Sequence, residues 1–142
     1  MSPTVEIRNR QRGCRIAMTR LRRLCDVAVP LAAEKTRRVA GLPELIDVSI
    51  VSDRRIAELH VRFLNIEGTT DVLTFPYGEI VVSADTAARE GLEHGHSTEE
   101  ELTLYIIHGV LHLGGWDDRA KADAKDMHRA QHSILKAVVA SV

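Results

Sequence analysis

The sequence predicts an α+β fold, a small mixed β-sheet of about four strands flanked by about five helices, with one helix running through the core. Three observations carry that prediction. Ile46, Val48 and Ile50 alternate with Asp47 and Ser49, the period of a half-buried strand. Val72 to Phe75 and Glu79 to Ser83 read as two further strands joined around Pro76-Tyr77-Gly78, a hairpin. Finally, the stretch through Tyr105, Ile106, Ile107, Val110, Leu111 and Leu113 is too apolar for a surface helix and belongs in the core.

The remaining elements follow in chain order. Val5 and Ile7 alternate with polar neighbours, which predicts a short first strand. Leu21, Leu24, Cys25, Ala28, Leu31 and Ala32 recur at helical spacing. Pro30 falls inside that pattern, so a kink or restart is expected there, and Gly41-Leu42-Pro43 is expected to end the helix. Ser52 or Asp53 can cap a helix presenting Ile56, Leu59, His60 and Phe63 on one side. Asn65 to Thr70 reads as a polar loop, and Ala84 to Leu92 as a short helix. Ser97 with Glu100, or Thr98 with Glu101, supplies a capping box for the core helix, and Gly114-Gly115 should stop it. A last helix carries Ala124, Met127, Ile134, Leu135 and Val138.

Composition narrows the class. A chain of 142 residues fits one domain, 1–142, and 44% hydrophobic with 27% charged residues is ordinary for a globular protein. No apolar run approaches the eighteen or so residues that span a bilayer, so no membrane partner is expected. The arginine-rich N-terminus lacks the apolar block of a signal peptide. Cys14 and Cys25 form no CxxC pair, and a cytoplasmic location is expected. The net charge of −1 hides an asymmetry, because residues 1–62 carry six excess positive charges and residues 63–142 seven excess negative ones. Arg8, Arg10, Arg12, Arg15, Arg20, Arg22 and Arg23, then Lys35, Arg37 and Arg38, form a cluster that either attracts phosphate backbones or is a solvated face.

The chemistry concentrates at one place. His108 and His112 are four residues apart on the core helix, so both rings leave the same face and can hold one metal ion at a fixed separation. The double glycine lets the chain fold back, so that Asp117 or Asp118 can bring a carboxylate to the same ion. A second pair, His128 and His132, has the same spacing but no following turn or carboxylate, and reads as a solvated face. Gly109 stands where a zincin protease has its general-base glutamate, which counts against that chemistry.

The segment His108-Gly-Val-Leu-His112-Leu-Gly-Gly-Trp-Asp-Asp118 resembles the HGxLHLxGYDH signature of the YbeY family, single-strand-specific metal-dependent endoribonucleases of ribosomal RNA maturation. Thr70 to Pro76 is similar to the family's PTDVLSFP segment, Glu79 to Ser83 to its GDIVIS strand, and Ala124 to Met127 with Ile134-Leu135 to its closing helix. The resemblance implies the family's α+β fold, one Zn2+ or another divalent ion, single-stranded RNA as substrate, and the small ribosomal subunit as partner. Its implied role is maturation of the small-subunit ribosomal RNA 3′ end and ribosome quality control. The family's third ligand is the histidine that closes the signature; here Asp118 stands in its place, and oxygen ligation by aspartate suits zinc. Asp117 then becomes an outer partner of the site or a proton handler. The family also has a YRGKD segment whose arginine is implicated in activity; the aligned stretch here is Phe63 to Glu67, with Leu64 at the arginine's place and Arg62 a weak substitute.

Two alternatives stand beside the ribonuclease: a metal-dependent hydrolase of another substrate, and a ribosome-associated binding module with a structural metal. Closed structural zinc sites draw two to four cysteines, and none lies near this motif.

Overall fold

The computed structural model describes residues 2–142. Among these, the elements run β1 (Thr4–Asn9), α1 (Met18–Ala33), β2 (Leu45–Val51), α2 (Asp53–Leu64), β3 (Val72–Phe75), β4 (Glu79–Ser83), α3 (Ala84–His94), α4 (Thr98–Leu113) and α5 (Lys121–Ser141). The strands form one mixed sheet in the order β1-β2-β4-β3. β1, β2 and β4 are parallel, and β3 returns antiparallel to β4 through the Pro76-Tyr77-Gly78 turn, where Gly78 takes φ +118°. The expected α+β class, hairpin and five helices are all present.

The sheet is covered on both faces. Ile46, Val48 and Ile50 of β2 with Ile80 and Val82 of β4 face the main core, which α1, α4 and α5 complete. On the opposite face Val51, Leu73 and Val81 pack around Ile56 of α2. β2 is therefore more than half-buried: even Ser49 is only 6% exposed. α4 is central, with eleven of its sixteen residues buried, and packs on α1, α3, α5 and the β3–β4 hairpin. Ser97 caps it in a capping box with Glu100, and the next residue, Glu101, turns inward and is buried.

Of the kink or restart expected at Pro30, the restart does not occur: α1 is continuous, the proline sits in its last turn and removes only one interior hydrogen bond. Two expectations are corrected. The helix then ends at Ala33, well before Gly41, since the apolar spacing stops at Ala32 and Val39 is fully exposed. Residues 34–44 form a loop instead, and that loop reaches the end of α4. Phe63, expected on the packed side of α2, is 55% exposed and only meets Phe75 edge-on. Among the described residues no helix is long and apolar enough to cross a membrane.

Candidate metal centre

His108 and His112 occupy the last turns of α4, with ring centroids 4.6 Å apart. Gly109 between them is where α4 lies on β4, since a Cβ there would come 2.7 Å from Cδ1 of Ile80. The helix ends in a Schellman turn. Gly115 takes φ +93°, its amide donates to the His112 carbonyl (3.0 Å), and the Trp116 amide donates to the Leu111 carbonyl (3.0 Å). This turn does two things for the site. It lays the Trp116 carbonyl over His112, and it reverses the chain so that Asp118 returns. Oδ2 of Asp118 lies 3.5 Å from Nε2 of His112 and 3.6 Å from Nε2 of His108.

The outer nitrogens define the protonation pattern. Nδ1 of His112 is 3.1 Å from the Trp116 carbonyl, which can only accept, so Nδ1 carries the proton and donates. Nδ1 of His108 likewise donates to Oε1 of Gln131 at 2.7 Å. Both Nε2 lone pairs are left facing Asp118. The 3.5 and 3.6 Å gaps exceed hydrogen-bond length. They are close to the separation of about 3.4 Å between two ligands each ~2.0–2.1 Å from a tetrahedral ion. Two imidazoles and a carboxylate are a zinc-type donor set, so these residues fit a divalent metal. Burial pushes the His108 ring below its ordinary pKa, partly offset by Gln131, which favours the neutral, ligating form.

Asp117 goes elsewhere. Its oxygens accept from the Arg119 amide (3.0 Å), Nε (2.8 Å) and Nη2 (2.7 Å), and this pairing holds its carboxyl down at about 2. A carboxylate so engaged is a poor proton handler at neutral pH; it braces the turn that carries Asp118. Both histidines and Asp118 open on a cavity of about 410 Å3, also lined by Asp71, Leu64 and Arg38. Arg62 lies over the Phe63 ring and does not line it. Gln131 and Arg38 were missed by the sequence reading. A helical glutamine carries no ligand signal, and Arg38 was one of ten cations in a broad cluster.

A second histidine group lies at the other end of α4. Nδ1 of His96 is 2.8 Å, and Nδ1 of His94 3.2 Å, from the buried Glu101 carboxylate, and these three residues could also hold an ion. They face a cavity of about 770 Å3 together with His128 and His132. The rings of that last pair lie tilted with centroids 4.0 Å apart, and no carboxylate is hydrogen-bonded to either ring among the described residues.

Comparison with known proteins decides the family. The family model described as Endoribonuclease YbeY matches residues 6–139. The chain belongs to the YbeY family. A YbeY endoribonuclease of Thermobifida fusca is 35% identical over 115 residues, 69% of this chain and 74% of the relative. That of Koribacter versatilis is 33% identical over 128 residues, 85% of this chain and 84% of the relative. A Thermotoga maritima protein solved in solution superposes with a TM-score of 0.67 at 26% identity, covering 97% of this chain and 91% of that one. The family membership expected from the residue 108–118 signature is thus shown, and with it an endoribonuclease family for this chain.

Proposed function

We propose that this chain is a metal-dependent endoribonuclease of single-stranded RNA whose working ion, zinc or a similar divalent metal, is held by His108, His112 and Asp118. One observation carries the reading: Oδ2 of Asp118 lies 3.5 and 3.6 Å from the two histidine Nε2 atoms while the outer nitrogen of each ring is tied to an acceptor. A divalent ion in that position supplies Lewis acidity toward a phosphodiester and acidifies water. The chain's own residues do the rest. Gln131 and the Trp116 carbonyl fix the tautomers, Asp117 with Arg119 holds the returning turn, and the open cavity admits a strand.

Ribosomal RNA is the substrate that the family likeness favours, with the small ribosomal subunit as partner in its 3′-end maturation and quality control. The cytoplasm is the compartment where those partners meet, and both cysteines are free. The test is cleavage by metal-loaded protein of a single-stranded RNA, the same sequence as a duplex, and casein. Cleavage of the single strand alone is expected; cleavage of casein but not RNA would sink the ribonuclease. In cells lacking the protein, small-subunit ribosomal RNA should keep an unprocessed 3′ end, and normal ends there would remove the ribosomal role.

A further inference from the structure

We infer that Arg38, on the loop between α1 and β2, is a phosphate-binding position at the mouth of the metal cavity, where it takes a backbone phosphodiester of the bound strand. The inference rests on the ribonuclease reading for the identity of that strand.

Among the described residues Arg38 is the one cationic side chain lining this cavity, whose other charged walls are Asp71 and Asp118 beside the two histidines. A divalent ion held by His108, His112 and Asp118 would balance the charge of the two carboxylates, and Arg38 then supplies the net positive charge on the wall that a polyanion meets. The neighbouring guanidiniums are already engaged. Arg119 is bound to Asp117, Arg89 to Asp53 (2.7 Å), and Arg37 lies 3.6 Å over the Trp116 ring. Among the described residues the Arg38 guanidinium has neither an ion pair nor a hydrogen bond. Its fork of donors is free for a bidentate phosphate contact.

Its place is built. The Trp116 indole donates to the Lys35 carbonyl (2.8 Å), and the Arg37 amide donates to the Gly114 carbonyl (2.7 Å). The Arg38 amide is held by Thr36 Oγ1 (3.3 Å). The Arg38 stem runs across Gly115, where any Cβ would sit 3.2 Å from its Cγ. The loop is therefore strapped to the same glycine turn that returns Asp118. One turn sets both the metal ligand and the cation, so their relative position is a property of the fold and not of a loose loop.

The experiment is binding of a fluorescent single-stranded RNA to metal-loaded protein by anisotropy across a salt series, with metal content measured alongside. Arg38→Ala should keep its metal, bind about three- to tenfold more weakly, and lower the log–log salt slope by about 0.7, the loss of one phosphate contact on a single strand. Arg38→Lys should keep the slope and recover part of the affinity. Arg54→Ala, an equal change of net charge on the exposed side of α2, should leave the slope alone. An unchanged slope and affinity in Arg38→Ala overturns the phosphate site while the ribonuclease stands. Binding that depends on Arg38 in a wild type unable to cleave the RNA would instead overturn the ribonuclease and keep the site.

Discussion

The two ends of α4 carry the same three residue types, two histidines and a carboxylate, in opposite states. Near the N-terminal end Glu101 is 1% exposed and accepts from Nδ1 of both His94 and His96 at 2.8–3.4 Å. A carboxylate only accepts, so those imidazole protons lie between the partners and the group is closed on itself. At the C-terminal end the imidazole protons point away, toward Gln131 and Trp116, and the gaps to Asp118 are 3.5–3.6 Å with no proton between. The two ends therefore differ in where the second ring nitrogen is anchored, which residue type alone does not show.

The sharpest way to break this contrast is to disable each end in turn. His112→Ala should drop bound metal from about one ion per chain to none by elemental analysis. RNA cleavage should fall more than about a hundredfold, beyond what loss of an outer partner costs. Glu101→Gln should keep that metal yet lower unfolding stability by about 2 kcal/mol in a denaturant titration, because the amide puts an NH2 donor where the carboxylate offers its second accepting oxygen. Two ions in the wild type and one in Glu101→Gln would make the N-terminal group a metal site and end the contrast.

Much of this was legible in the sequence, and the misses have a common cause. The helix faces, the hairpin, the Ser97 cap and the glycine turn are local, and each was read from neighbours a few residues apart. His108, His112 and Asp118 share one helix turn and one reversal, so their convergence was local too. The end of α1 was misplaced because Gly41-Leu42-Pro43 is a strong stop signal, whereas the true stop is the absence of apolar partners after Ala32. Gln131 and Arg38 meet the site from far along the chain, Gln131 from 23 residues beyond His108, and Glu101 turned inward from the run Glu99-Glu100-Glu101. Such pairings are made by packing, and no periodicity encodes them.

Asp118 gives a smaller effect that sharpens the contrast. It is 44% exposed, so water can take its place on an ion more readily than it can replace a ring fixed on the helix. Asp118→Ala should weaken metal affinity by about ten- to a hundredfold in a chelator competition. Asp118→His, which restores a third imidazole, should hold the ion and retain cleavage. Equal metal affinity in Asp118→Ala and the wild type would remove residue 118 from the ligand set.

The smallest effect is a titration. Burial lowers the pKa of His108, with the neighbouring His112 adding to the shift and Gln131 and the charges of Asp71 and Asp118 opposing it. In the metal-free protein its ring resonance should therefore titrate below the ordinary histidine value by NMR. The sign for stability follows: the folded state binds this proton less readily than the unfolded chain. Its contribution is complete above the ordinary value and is lost as pH falls toward the folded one. Gln131→Ala removes the contact that raises the pKa, so the ring should titrate lower still. A ring that instead titrated above the ordinary value would mean that Asp118 holds a protonated His108. The C-terminal group would then be an ion pair, closed like the one around Glu101, and the space between its three ligands would not be a place for a metal.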